Sequence, residues 1–201
     1  MTIRRIVVSG GPGAGKTTLW RAIAAAHPER VLAVPEVATM LLSHVFPPVN
    51  SLESRCALQR AIFAVQRNLE AAYEARLLPG QVLLCDRGIP DGAGYWPEGR
   101  DAFFMAMQTE LQAELARYEA VVFMESAAVG GLSIAEGNQV RTEDLQTAVT
   151  IDQRLRDVWS EHPMFRHVPQ HEDFAAKLKA GNSIVAAWLD AIAALEPAAR
   201  H

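Results

Sequence analysis

The octapeptide Gly10-Gly11-Pro12-Gly13-Ala14-Gly15-Lys16-Thr17 constrains this chain more than any other stretch, because it fills every position of the pattern Gly-x-x-x-x-Gly-Lys-[Ser/Thr]. It also stands where that pattern has to stand. Upstream, the β-branched run Ile3-Arg4-Arg5-Ile6-Val7-Val8-Ser9 reads as a strand running into a glycine turn. Downstream, Leu19, Trp20, Ile23 and Ala26 recur at helical spacing until Pro28. Glycines let backbone N–H groups curl around a phosphate, and the helix start adds unpaired donors and the positive end of its dipole. Gly10, Gly11, Pro12, Gly13, Ala14, Gly15, Lys16, Thr17 and Thr18 are therefore the expected nucleotide-binding residues. Lys16 is expected to reach the β- and γ-phosphates, and the Thr17 hydroxyl to ligate Mg²⁺. Lysine occurs elsewhere only at 177 and 179, so a chain that otherwise uses arginine places its one early lysine in this loop. A dinucleotide fingerprint starting at Gly11 would need glycine where Lys16 stands.

Further strands and helices alternate along the chain. Val31–Val34 reads as a second strand, followed by a short apolar helix and the breaker Phe46-Pro47-Pro48-Val49-Asn50. Ser51 can cap a helix that reaches Leu77, with Leu58, Ile62, Val65, Leu69 and Ala72 on one stripe. Val82-Leu83-Leu84-Cys85 and Val121-Val122-Phe123-Met124 are continuous apolar runs that end in Asp86 and Glu125. Residues 101–118 between them carry helical periodicity. A polar, glycine-containing loop over about 126–141 is the expected lid, and Thr142-Glu143-Asp144-Leu145 the cap of a helix that reaches Trp159 or Glu161. Residues 165–168 form a weak last strand, and the terminal helix carries Phe174, Leu178, Val185, Trp188, Ile192 and Leu195 near one face. Near-continuous apolar strands alternating with helices predict an α/β fold, a parallel sheet covered on both faces.

At 201 residues, without repeats, linkers or low-complexity tracts, residues 1–201 read as one domain. A formal charge of -4 and the lack of a lysine-rich stretch argue against a nucleic-acid partner. No apolar run approaches the ~20 residues that cross a bilayer, and the N-terminus lacks a signal-peptide pattern, so a cytoplasmic protein is expected. Cys56 and Cys85 read as buried reduced thiols.

Four residues outside the loop are candidates for chemistry. Asp86, at a strand exit, is placed to reach a water of the Mg²⁺ shell or a substrate hydroxyl, and Arg87 beside it offers a planar fork suited to phosphate or a sugar-acid oxygen. Glu36 leaves the second strand at the equivalent end, where ligands of open parallel sheets sit. It is the general-base candidate; a helix-start acid facing the macrodipole is the alternative reading. Arg141, after the lid, is the candidate for neutralising charge on the transferring group, ahead of Arg154 and Arg156. His167 and His171 straddle Pro169 and do not share a helix face as paired metal ligands would. Asp91-Gly92-Ala93-Gly94 is a loose Asp-x-x-Gly match, but no Asn-Lys-x-Asp guanine reader occurs. Trp20, Trp159 and Trp188 read as packing residues, whereas Trp96 could stack on a base or ring.

Taken together, residues 6–19, Pro35-Glu36-Val37-Ala38, Cys85-Asp86-Arg87-Gly88-Ile89-Pro90-Asp91, Tyr95 and Val140-Arg141-Thr142-Glu143 resemble one family. It is the small P-loop AAA-type ATPase/kinase-like family that includes the ribosylnicotinamide kinase domain of bacterial NAD regulators, over roughly residues 3–190. More distantly the chain is similar to nucleoside and nucleotide kinases. That resemblance implies a P-loop NTPase three-layer sandwich with a five-stranded sheet of order 2-3-1-4-5, ATP with Mg²⁺, and a lid. It also implies that Glu36 is the acid near the acceptor, Asp86-Arg87 the pair after the third strand, and Arg141 the lid arginine. The expected activity is transfer of the γ-phosphoryl group of ATP to a hydroxyl of a nucleoside-like metabolite, with catalytic residues Lys16, Glu36, Asp86, Arg87 and Arg141. GTP in place of ATP stays open, as does the alternative of an NTP-dependent switch acting through a protein partner.

Overall fold

The computed structural model describes residues 4–132 and 144–195. Five parallel strands form its centre: β1 (Arg5–Gly10), β2 (Val31–Val34), β3 (Val82–Asp86), β4 (Ala120–Met124) and β5 (Phe165–Val168). They lie in the order β2-β3-β1-β4-β5, as the resemblance implies. Their apolar residues alternate faces, as a period of two demands. Ile6, Val8, Leu84, Val122 and Met124 meet one helical layer, supplied by α1 (Lys16–Ala26) and α8 (Phe174–Leu195). Val7, Leu83, Cys85, Val121 and Phe123 meet the other, built from α3 (Leu52–Glu74), α6 (Leu111–Leu115) and α7 (Leu145–Trp159). Burial on both faces explains why these strands show no polar alternation in sequence.

Three local expectations change. Residues 101–118 form no single helix but α5 (Arg100–Ala106) and α6, separated where Gln108 takes a left-handed φ of 54°. In α3, Val65 is exposed while Gln66 and Glu70 are buried. Glu70 accepts hydrogen bonds from Gln66, from the Tyr118 hydroxyl at 2.9 Å and from Arg117 at 2.9 Å, so polar partners displace the apolar stripe. Helix α7 is capped by Asp144, whose carboxylate accepts from the Thr147 N–H at 2.7 Å, in place of Thr142. Helix α3 starts as expected, with Ser51 and Ser54 forming a reciprocal cap. Cys56 and Cys85 are buried and unpaired. No described helix is long and apolar enough to cross a membrane.

The connections bring the working residues to one end of the sheet. Strand β2 leads through Glu36 into α2 (Val37–His44), and β3 leads through Arg87 to α4 (Asp91–Tyr95). Register places Val8 beside Asp86, Gly10 beside Met124 and Val34 beside Cys85, so the exits of β1, β2, β3 and β4 share one edge. Ligands of open parallel sheets bind there.

Candidate functional site

The phosphate loop is shaped by close approaches that only glycine permits. A Cβ on Gly10, at φ +143°, would lie 2.0 Å from the Met124 carbonyl oxygen. Gly15, at φ +87°, opens α1, and the ring of Phe174 stands where its Cβ would be. The first N–H groups of α1 have no intrahelical acceptor, so they point at whatever the loop encloses. Lys16 is buried at the base, its ammonium donating to the Gly11 carbonyl at 2.7 Å. Thr17 and Thr18 follow on the first turn, Thr18 exposed and Thr17 half-buried.

Thr17 and Asp86, 69 residues apart in sequence, meet: the Thr17 hydroxyl donates to Asp86 Oδ2 at 2.7 Å. Asp86 is 1% exposed and its Oδ1 is buried with no hydrogen-bond partner. Buried polar atoms are nearly always satisfied, so an orphaned carboxylate oxygen beside a hydroxyl marks a place for a cation or a donor. Burial pushes the Asp86 carboxyl up from its ordinary range, and Glu36 adds to this; Lys16, the Thr17 hydroxyl and Arg87 pull the other way. Mg²⁺ prefers oxygen ligands and keeps several waters and phosphate oxygens, so one or two protein oxygens suffice for it. Thr17 Oγ1 and Asp86 Oδ1 fit that demand. Among the described residues no group of three or more His, Cys, Asp or Glu is arranged to hold a metal.

Arg87, expected to offer a planar fork suited to phosphate or a sugar-acid oxygen, is held by groups of the protein itself. Its guanidinium is buried and engaged on every side: Nε donates to Glu36 Oε1 at 2.6 Å, Nη1 to Asp91 Oδ1 at 2.8 Å, and Nη2 to the Tyr95 hydroxyl at 3.0 Å. Its backbone adopts φ 75°, rare for any residue but glycine and tolerated where surroundings over-determine it. Burial disfavours the charge, but Tyr95, Glu36 and Asp91 outweigh it and keep the pKa well above the usual arginine value. Glu36 is thus oriented through both oxygens, since Oε2 accepts from Thr39 Oγ1 at 2.5 Å.

Sequence reasoning missed Asp152 and read Asp91 only as the start of a loose Asp-x-x-Gly match. Asp91, 4% exposed, accepts from Ser9 Oγ, Arg87 Nη1, the Gly88 N–H and Trp159 Nε1, all within 3.1 Å. It ties β1, the β3 exit and α7 into one unit. Its sequence signal is the spacing Arg87-Gly88-Ile89-Pro90-Asp91, in which the charges are four apart across a turn. Asp152 Oδ1 accepts from the Gly11 N–H at 2.9 Å and the Ser126 N–H at 2.8 Å, clamping the phosphate loop to the β4 exit. Its position in mid-helix leaves no local signature. Trp96 is only 1% exposed, packed edge-on against Phe103, so it is closed to stacking on a ligand; Tyr95 takes that exposure. Arg156 is paired to Glu125 at 3.2 Å, and Arg141 lies outside the described residues, as does most of the expected lid.

Behind the loop, Lys177 donates to the Glu125 carbonyl and, at 2.9 Å, to Gln170 Oε1. Burial lowers its pKa to about 8, against the pull of Asp152 and Glu125. Because the folded pKa lies below the unfolded one, the folded protein sheds this proton first as pH rises, and stability gains from Lys177 between about pH 8 and the ordinary lysine value near 10.4. The unfolding free energy of the wild type minus that of Lys177→Met, measured in urea at pH 7.5 and pH 9.5, should therefore shift in favour of the wild type at the higher pH. A difference that is flat with pH would refute the burial assignment.

A cavity of about 1030 Å³ adjoins the site. Val37 and Ala38, next to Glu36, line it together with Arg87, Asp91 and Tyr95. It thus begins where the buried ion pairs end. No curated protein matches the chain. Residues 5–177, most of the sequence and all of the site described above, match the family described as AAA domain, and the chain belongs to that family of nucleotide-binding P-loop AAA-type domains.

Proposed function

We propose that the protein is a phosphotransferase that moves the γ-phosphoryl group of ATP to a hydroxyl of a nucleoside-like metabolite. One observation carries this reading: the cavity beside Glu36 and Arg87 has the volume of a ligand pocket, which a site that admits only water as acceptor does not need. In the proposed step the acceptor oxygen forms a new bond to the γ-phosphorus. The bond from that phosphorus to the bridging oxygen breaks, and its electron pair leaves with the nucleoside diphosphate. The hydroxyl proton passes to Glu36, which Arg87 and Thr39 hold at the cavity edge. Lys16 and the loop N–H groups hold the phosphates, and Thr17 and Asp86 would hold Mg²⁺. That ion, when bound, offsets charge on the phosphate oxygens.

Glu36→Gln preserves the shape and acceptor oxygen of the side chain while removing its ability to take a proton. Acceptor-dependent transfer is expected to fall about 10²- to 10⁴-fold with nucleotide affinity unchanged, in a coupled assay of nucleoside diphosphate release with ATP and with GTP. Unchanged turnover would sink the base assignment.

A switch driven by nucleotide is the second reading, and Asp152 supports it. That residue joins the phosphate loop to α7, the helix that follows residues 133–143. Slow hydrolysis that no nucleoside, nucleotide or nicotinamide riboside stimulates would favour it over the phosphotransferase.

A further inference from the structure

The cavity is polar in an uneven way. At its inner end one guanidinium, Arg87, is paired with two carboxylates, Glu36 and Asp91, so the positive side chains without an ion pair stand away from that end. Two more arginines line it, Arg55 on α3 and Arg154 on α7, and neither makes an ion pair or hydrogen bond to a described residue through its side chain. The one other acid in the lining, Asp144, already accepts from the α7 backbone as its cap. Arg55 sits in the fourth position of α3, where a cation works against the helix dipole. One turn on, Gln59 is only 8% exposed, lines the same cavity and makes no hydrogen bond to a described residue. Its amide atoms keep contact with solvent and so are open to a ligand in the cavity. Its spacing of four from Arg55 puts the two on one helical face, with Ile62 and Phe63 continuing that face as apolar lining.

We infer that the cavity takes an acceptor that is itself anionic: a ring-bearing metabolite with a phosphate or carboxylate group in addition to the oxygen that is phosphorylated. Arg55 and Arg154 bind the anion, which their fork geometry suits. Gln59 donates to and accepts from a polar edge of the ring, and Phe63, Ile62 and Tyr95 contact its faces. The inference rests on the phosphotransferase reading for the word acceptor, but the binding it describes needs no transfer.

That separation sets the experiment. The full chain is saturated with Mg²⁺ and a non-transferable ATP analogue, then titrated in a calorimeter with uridine, cytidine, thymidine and nicotinamide riboside. Each is compared with its 5′-monophosphate and, for uridine, with its 5′-carboxylate. At least one anionic member should bind tenfold or more tightly than its neutral parent, more weakly as salt is raised. Whether the phosphate or the carboxylate form gains more identifies the anion. Arg55→Ala and Arg154→Ala should each cut the preference for the anion several-fold while leaving binding of the neutral parent unchanged. Gln59→Leu should weaken parent and anion equally. Equal binding of parent and anion, no binding by any member, or a preference that survives loss of both arginines would overturn the inference. Anion binding that depends on the arginines, with no transfer to any bound compound, would overturn the phosphotransferase reading and leave this one standing. Transfer to a neutral acceptor with no anion preference would do the reverse.

Discussion

Replacing Lys16 with Ala is expected to lower nucleoside triphosphate turnover on the order of 10²- to 10³-fold, the cost typical of deleting one preorganised group that meets developing charge in a water-poor site. The size follows from where the ammonium stands. It is buried at the base of the loop, held at 2.7 Å from the Gly11 carbonyl and within the electrostatic reach of Asp86 and Asp152. Its position is fixed before any phosphate arrives, so little reorganisation is needed when charge moves. Its loss has a second consequence: Lys16 opposes the rise of the Asp86 and Asp152 carboxyls, so in Lys16→Ala both should be harder to ionise. The measurement is nucleoside diphosphate release from ATP and from GTP with Mg²⁺, with circular dichroism to establish that the variant is folded. Turnover within threefold of the wild type would mean that the observed hydrolysis does not occur at this loop.

The second large effect is expected on stability. Asp91→Ala should destabilise the fold by about 3–5 kcal/mol, the range for removing one partner of a buried ion pair. For a chain of this length that lowers the unfolding midpoint by roughly 6–20 °C. The carboxylate is 4% exposed and accepts four hydrogen bonds, so its removal takes one of the two carboxylates from a buried guanidinium and leaves a backbone N–H, a hydroxyl and an indole N–H without that acceptor. Asp91→Asn keeps an acceptor oxygen and should cost less. A midpoint within 2 °C of the wild type for Asp91→Ala would show that Arg87 finds another partner. Because Arg87 also orients Glu36, Asp91→Asn should reduce acceptor-dependent turnover even where the protein stays folded.

The phosphate loop and the parallel sheet were legible because both depend on local properties. Glycines, a lysine and a flanking strand and helix specify the loop whatever surrounds it, and continuous apolar runs specify strands buried on both faces. Asp86 and Glu36 were legible as strand exits for the same reason. What they touch was not, because a contact such as Thr17 to Asp86 joins residues 69 apart and depends on strand order. The apolar stripe of α3 misled at Val65, since periodicity registers only apolar residues, whereas Gln66 and Glu70 are buried by the partners that Tyr118 and Arg117 supply from beyond β3. The break between α5 and α6 arises from a left-handed residue, Gln108, that carries no glycine signal.

The sequence alone determined that this chain presents a phosphate cradle at the edge of a parallel α/β sheet, because those instructions are written in neighbouring residues. Only the tertiary structure decided that Arg87 is consumed by Glu36, Asp91 and Tyr95, that Asp152 clamps the loop, and that Arg55, Gln59 and Arg154 face a common cavity. A charge acquires its role from the charges brought against it, and those come from elements that are distant along the chain until the sheet orders them.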